Sequence, residues 1–198
     1  MTSMKGSSTV RPRDAAQTRQ DILRAAQMLF SRHGYNATGV RDIAKEAGVS
    51  FALVRRYYGS KLGLLRAALE DMLRVEPLLE GDRATFGRRA VSLFIGRAQE
   101  AVPVSLMLLA SADPAGRELC QQLMQERILG PLAEWLGGPD GSERAVRLHL
   151  LWTGFIAAQQ IYSLEQLSSD RVAGTREWLE QMSQAIADGT SMPVPLPA

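Results

Sequence analysis

Residues 38–61 read TGVRDIAKEAGVSFALVRRYYGSK, and the fold is decided there. Val40, Ile43, Ala44 and Ala47 recur at i, i+3, i+4 and i+7, which gives a short helix over 40–46 one apolar face. Gly39 or Thr38 stands at its N-cap, and Asp42 falls in the first turn, where an acid complements the helix dipole. Gly48 suits the left-handed residue that ends such a helix. Ser50 then caps a second helix running to Tyr58, Gly59 stops it, and Ser60-Lys61 starts a third. Two short helices joined by a tight glycine turn form a helix-turn-helix, whose second helix can lie in a DNA major groove. In that helix Val54 and Tyr58 face inward, leaving Phe51, Ala52, Leu53, Arg55, Arg56 and Tyr57 to point elsewhere. Arginine grips phosphate or pairs with guanine, and small apolar groups touch thymine methyls. On spacing alone, a plain αα-hairpin with a solvated basic face is the alternative.

The matching run extends well beyond this stretch. Residues 18–65 read TRQDILRAAQMLFSRHGYNATGVRDIAKEAGVSFALVRRYYGSKLGLL. Leu29-Phe30, His33-Gly34-Tyr35, Ala37-Thr38, Val40 to Ala44, Ala47 to Ser50, Tyr57-Tyr58, Ser60-Lys61 and Leu64-Leu65 carry the pattern. Over residues 16–65 the chain resembles the DNA-binding domain of TetR-family transcriptional regulators. The resemblance implies that Arg41 sits at the groove edge. It also implies that Phe51, Ala52, Leu53, Arg55 and Arg56 form the recognition surface. Tyr57 and Lys61 would hold phosphate, with Thr38 adding a contact. Three positions depart from the family's usual residues: Gly39 replaces Thr or Ser, Phe51 replaces a polar residue, and Arg55 replaces Tyr. Contacts carried over at those positions are the ones most open to change.

Charge divides the chain in the same place. Residues 1–62 hold 11 basic and 4 acidic side chains, and residues 63–198 hold 12 and 17, which together give the net charge of +2. A basic head on an acidic body points to a nucleic-acid-binding segment joined to a part with another task.

The rest of the chain reads as helix throughout. Residues 1–13 are polar, basic and Pro-containing, a disordered arm or soluble leader whose Lys5, Arg11 and Arg13 are placed to touch DNA. A first helix spans 15–33, with Ile22, Ala25, Ala26, Leu29 and Phe30 as its stripe. The core of the three-helix head should include Ile22, Ala26, Phe30, Ile43, Val49, Val54 and Tyr58. Further helices are predicted over 60–75, closed by Pro77 and Gly81-Asp82, then 83–99, 104–112, 113–136, 142–167 and 170–187. Asp113-Pro114 and Asp170 read as helix starts. The outcome is an all-α chain of nine helices, three in the head and six outside it. Its divisions are an arm (1–13), a DNA-binding domain (14–60), a helical ligand-binding and dimerisation domain (61–188) and a loose Pro-rich tail (189–198).

By resemblance, the last two helices pair with their copies in a homodimer, and Trp178, Leu179, Met182 and Ile186 are the interface candidates, with monomer core as the other use of that stripe. The family's pocket lies inside the body. Phe94, Met107, Cys120, Met124, His149, Trp152, Thr153 and Gln159 are the candidate lining, with Gln160 and Tyr162 as further polar groups. Pockets of this kind are mostly apolar with a few placed polar groups, which favours a small hydrophobic or aromatic effector. The single cysteine, Cys120, excludes an intramolecular disulfide and reads as a buried structural thiol.

Nothing in the sequence reads as catalytic, metal-binding or cofactor-binding. His33 and His149 are far apart, no phosphate loop or nucleophile elbow occurs, and no secretory or membrane segment is recognisable. The expectation is therefore a cytoplasmic, non-enzymatic regulator without cofactor. It would bind a palindromic double-stranded operator as a homodimer and be released by a small-molecule effector. The alternatives are an activator of the same fold and a ligand-independent helical DNA-binding or adaptor protein.

Overall fold

The computed structural model describes residues 15–96, 103–161 and 173–190. The arm, most of the C-terminal tail, Tyr162, the side chain of Gln160, Asp170 and the expected helix ends at 97–99 and 162–167 lie outside the described residues.

Three helices make the head: α1 (Ala15–His33), α2 (Val40–Glu46) and α3 (Phe51–Tyr58). Their local chemistry follows the sequence. Gly39 caps α2 without a side chain, and its N–H donates to the Asp42 carboxylate at 3.0 Å. The α2–α3 turn needs Gly48, whose φ of +64° lies in the left-handed region. The Val49 N–H closes that turn on the Ala44 carbonyl at 2.9 Å. Ser50 Oγ accepts from the Leu53 N–H at 3.3 Å, as an N-cap should. Ile22, Ala26, Phe30, Ile43 and Val54 are buried as expected, whereas Val49 and Tyr58 are only half-buried. The Tyr58 ring packs inward while its hydroxyl reaches the Arg19 carbonyl at 2.8 Å, which keeps the polar tip near the surface.

The α4 helix (Lys61–Met72) starts at Ser60, whose Oγ accepts from the Gly63 N–H at 2.9 Å. Gly63 is required by close approach, because a Cβ there would run into the Tyr58 carbonyl. The helix stops three residues before the predicted Val75. Leu73 and Val75 turn inward and bury instead of continuing it. Pro77 does not close a helix but sits in the first turn of a one-turn helix, α5 (Glu76–Leu79), where its missing N–H costs nothing.

A 3₁₀ turn (Arg83–Thr85) leads into α6 (Phe86–Gly96), followed by α7 (Pro103–Ala110) and α8 (Pro114–Met124). Asp113 caps α8, accepting from the Gly116 N–H at 3.0 Å. The predicted single rod over 113–136 is continuous but contains a π turn (Gln125–Leu129) before α9 (Gly130–Leu136). Pro131 explains the widening: it cannot donate to the Arg127 carbonyl, and its ring would collide with that carbonyl in an ordinary α turn. Two long helices complete the body, α10 (Gly141–Ile161) and α11 (Ala173–Asp188). With α8, the π turn and α9 counted as one rod and single turns set aside, the described residues form nine helices and no strand.

Two apolar cores hold these elements. The first joins the head to α4, α7 and α8 through Leu64, Leu65, Leu69, Leu106, Leu119 and Leu123, so it crosses the 60/61 boundary drawn from sequence. The second joins α5, α6, α9, α10 and α11 around Phe86, Leu132, Leu148 and Trp152. Near its edge Arg144, only 6% exposed, donates to the carbonyls of Leu136, Gly137 and Ala187, tying the ends of α9 and α11 to α10. These are carbonyls that helix ends leave unpaired.

Candidate functional site

Phe51, Ala52, Arg55 and Arg56 are exposed on one side of α3, with Leu53 half-buried beside them and Val54 anchoring the opposite side. The Arg41 guanidinium, from α2, lies over the Phe51 ring at 5.2 Å from its centre. A cation held on an aromatic face is positioned without being neutralised. No described carboxylate forms an ion pair with Arg41, Arg55 or Arg56, so all three keep their charge for an external anion. Phe51 and Arg55 share a notch of about 270 Å³ with Ser60 and Lys61, which brings the end of α3 and the start of α4 onto one surface.

Two further candidates flank that surface. Tyr57 is half-buried, with the Arg19 guanidinium 5.6 Å from its ring centre. Lys61 stands 4.4 Å from the centre of the Tyr35 ring and donates to the Asn36 carbonyl at 3.3 Å. Burial lowers the Lys61 pKa from its ordinary value, opposed by the carboxylate of Asp113. Thr38 is placed differently from the expectation. It is 3% exposed, and its hydroxyl donates to the carbonyls of Gly34 at 2.8 Å and Leu29 at 3.2 Å. That hydroxyl holds the α1–α2 corner and is turned away from solvent.

A second site is a cavity of about 700 Å³ between the two cores. Phe94, Met107, Met124, His149, Trp152, Thr153 and Gln159 all line it. The α10 members recur at helical spacing, so one face of that helix forms a wall. Cys120 does not belong to the lining. It packs into the first core with its thiol toward the Met107 carbonyl at 3.9 Å, and burial raises its pKa. The Trp152 N–H donates to Ser183 Oγ at 3.1 Å, so the residue offers the cavity a ring and no donor. His149 Nδ1 and Thr153 Oγ1 lie 3.4 Å apart, and burial lowers the His149 pKa. The far wall comes from the head side: Gln27 and Met28 of α1, and Asp71 and Met72 of α4. Sequence reasoning missed Gln27 and Met28 because they lie off the stripe assigned to α1, and Asp71 and Met72 because nothing local marks the end of α4 as a cavity wall. Burial on α1 is wider than that stripe, taking in Leu23 and Gln27 beside Ile22, Ala25, Ala26 and Phe30.

The dimer candidates separate. Leu179 is buried in the monomer, and Met182 and Ile186 are half-buried, while Trp178 is 51% exposed. Leu179 therefore serves the monomer core. Val146 and Leu150 of α10, one helical turn apart, are exposed apolar residues that the sequence reading did not select.

Comparison with known proteins gives the same outline. A family model described as bacterial regulatory proteins of the tetR family matches residues 22–68, and a tetracyclin repressor-like C-terminal domain model matches residues 84–186. The transcriptional regulator HbdR of Aromatoleum sp. is 39% identical over 62 residues, covering 31% of this chain and 27% of that protein. RaaS of Mycobacterium tuberculosis is 34% identical over 110 residues, 54% of this chain and 50% of that protein. The chain thus spans between about a quarter and a half of the length of these curated relatives. Among solved structures, a TetR-family regulator from Streptomyces coelicolor A3 superposes with a TM-score of 0.57 at 28% identity, covering 91% of this chain and 99% of that one. A complex of SmeT with triclosan superposes with a TM-score of 0.59 at 19% identity, covering 92% and 100%, a likeness of fold alone.

Proposed function

Because the chain belongs to the TetR family of bacterial helix-turn-helix transcriptional regulators, we propose that it is a repressor that binds a palindromic operator as a homodimer and is released by a small apolar effector. The observation that carries the reading is the α3 surface. Arg55, Arg56 and an exposed phenylalanine face outward from a helix whose other side is locked by Val54, Arg41 of α2 lies over that phenylalanine, and none of the three arginines has an acidic partner among the described residues. Arg41, Arg55 and Arg56 supply charge for phosphate and forked donors for guanine, and Phe51 and Ala52 supply apolar contact for thymine methyls.

Two heads are needed because one short helix reads few base pairs, and a two-fold dimer presents two helices one turn of DNA apart. The exposed apolar residues of α10 and α11, Val146, Leu150 and Trp178, are the surface assigned to that contact. The cavity accounts for regulation. A ligand that fits one arrangement of α1, α4, α7 and α10 better than another shifts the head that α1 and α4 carry. SmeT, a neighbour in fold, forms a complex with triclosan, and the match to a repressor-like C-terminal domain favours repression.

The test is the mass of the protein–DNA complex by sedimentation on a duplex selected by the purified chain. Two chains per duplex are expected, and Leu150→Asp or Trp178→Asp should yield monomers with much weaker binding. A single chain binding with full affinity would contradict the proposal.

A further inference from the structure

Arg41 stands where folding gains nothing from it. It is the second residue of α2, and a cation in the first turn of a helix meets the positive end of the helix dipole. Its neighbour Asp42 is turned to the helix cap, where the carboxylate accepts from the Gly39 N–H at 3.0 Å. Gly39 allows this, because a Cβ at that position would lie 2.7 Å from the Asp42 oxygen and displace the acid. The Arg41 guanidinium lies instead over the Phe51 ring, 5.2 Å from its centre. Phe51 is 38% exposed and belongs to neither apolar core. Gly39 and Phe51 are thus linked through Arg41: one keeps an acid away from the cation, and the other holds the cation in place.

A guanidinium has two flat faces and an edge that carries its N–H donors. Phe51 covers one face. No other contact with the Arg41 side chain occurs among the described residues, so the edge and the second face are free. The edge matches guanine, whose O6 and N7 accept a fork of two donors in the major groove. The second face is weakly hydrated and suits an apolar group. The apolar group that the major groove offers is the 5-methyl of thymine. Successive bases on a strand are about 3.4 Å apart, so the methyl of a thymine on the 5′ side of that guanine lies at the height of this face. Phe51 is the first residue of α3, at the end of a reading helix that comes closest to base edges.

We infer that Arg41 and Phe51 act as one unit that reads a thymine followed by guanine in each half-site. Arg41 donates to guanine O6 and N7, and the thymine methyl packs against the guanidinium face that Phe51 leaves open. The inference rests on the reading of the α3 surface as the DNA-binding surface. Holding the guanidinium on the ring before DNA arrives reduces the freedom that the side chain must lose on binding.

The test uses the purified full chain and the duplex it enriches from a random pool, which should carry a TG step in each half-site. Two substituted duplexes follow: deoxyuridine for that thymine, which removes only the methyl, and 7-deazaguanine for that guanine, which removes N7. Competition assays with wild type should show losses of roughly four-fold and ten-fold for each half-site. Phe51→Gln and Arg41→Gln should each bind the thymine and deoxyuridine duplexes equally, with melting temperatures near that of wild type. The double variant should bind no more weakly than the weaker single one, because the two side chains act together. An enriched site without the TG step, indifference of wild type to either substituted base, or additive losses in the double variant overturns the inference and leaves α3 as the reading helix. A loss in Arg41→Gln that is equal on enriched and random DNA assigns Arg41 to phosphate and also overturns it. Enrichment of no site at all sinks the reading of the α3 surface and this inference together.

Discussion

The Lys61 ammonium lies 4.4 Å from the centre of the Tyr35 ring, which holds the first residue of α4 against the corner that follows α1. One face of the charge is thereby sheltered by an aromatic ring, and on the proposed reading the other meets DNA phosphate at the α4 N-terminus, where the helix dipole adds to it. Lys61→Ala should weaken binding to every DNA sequence and make the slope of log affinity against log salt shallower by about one. Shift assays across a salt series measure this. A loss confined to the preferred sequence, with the slope unchanged, would place Lys61 on a base instead.

Arg55 and Arg56 should behave in the opposite way. Each is exposed on α3 without a described acidic partner, and alanine at either position should cost about 1–3 kcal/mol on the preferred duplex. The same variants should lose far less on random DNA. Competition assays with both duplexes separate the two cases, and unchanged affinity in both variants would mean that α3 is not the reading helix.

The bond between Trp152 and Ser183 pins α10 to α11 inside the second core. Ser183→Ala leaves a buried indole N–H without a partner, at a cost of about 1–3 kcal/mol. Urea unfolding of the variant against wild type gives the value. A loss below about 0.3 kcal/mol would mean that water or a shift of the ring replaces the hydroxyl.

Burial sets the titration of His149. The folded chain holds this imidazole below its ordinary 6.5, so on acidification the unfolded chain takes up the proton first. The resulting stability is complete above pH about 6.5 and is lost as pH falls toward the folded value. Wild type should therefore lose more stability than His149→Gln between about pH 7.5 and 5.5, measured by urea unfolding at each pH. Parallel losses would show that the ring is solvated in the folded protein.

Cys120 has a shielded thiol whose pKa is raised by burial. It should react with a chromogenic disulfide reagent orders of magnitude more slowly in native protein than in urea. Fast native reaction would point to opening of the α7–α8 contact.

Most of the head was legible because its signals are local. Ser50 and Ser60 are caps whose partners lie three residues away, and Gly48 answers a requirement of the turn itself. The α10 wall of the cavity was legible for a related reason, since His149, Trp152, Thr153 and Gln159 fall on one helical face. What was not legible depends on which neighbour a face meets. Cys120 and Met124 are one turn apart on α8, yet only Met124 reaches the cavity, because Cys120 points into the core against α7. Trp178 and Leu179 are adjacent on α11 and differ in exposure from 51% to 1%, a split decided by α6 and α10 packing beside them. The inward hydroxyl of Thr38 is likewise fixed by the end of α1 rather than by anything in α2.

If the α3 surface reads DNA sequence from a two-fold dimer, as proposed, the purified full chain will pick its own site out of a random pool of duplexes. The expected result is enrichment of an inverted repeat whose half-sites lie about one helical turn apart or a simple multiple of it. Retention of DNA with steep salt dependence and no enriched motif, or enrichment of a single asymmetric half-site, would contradict it.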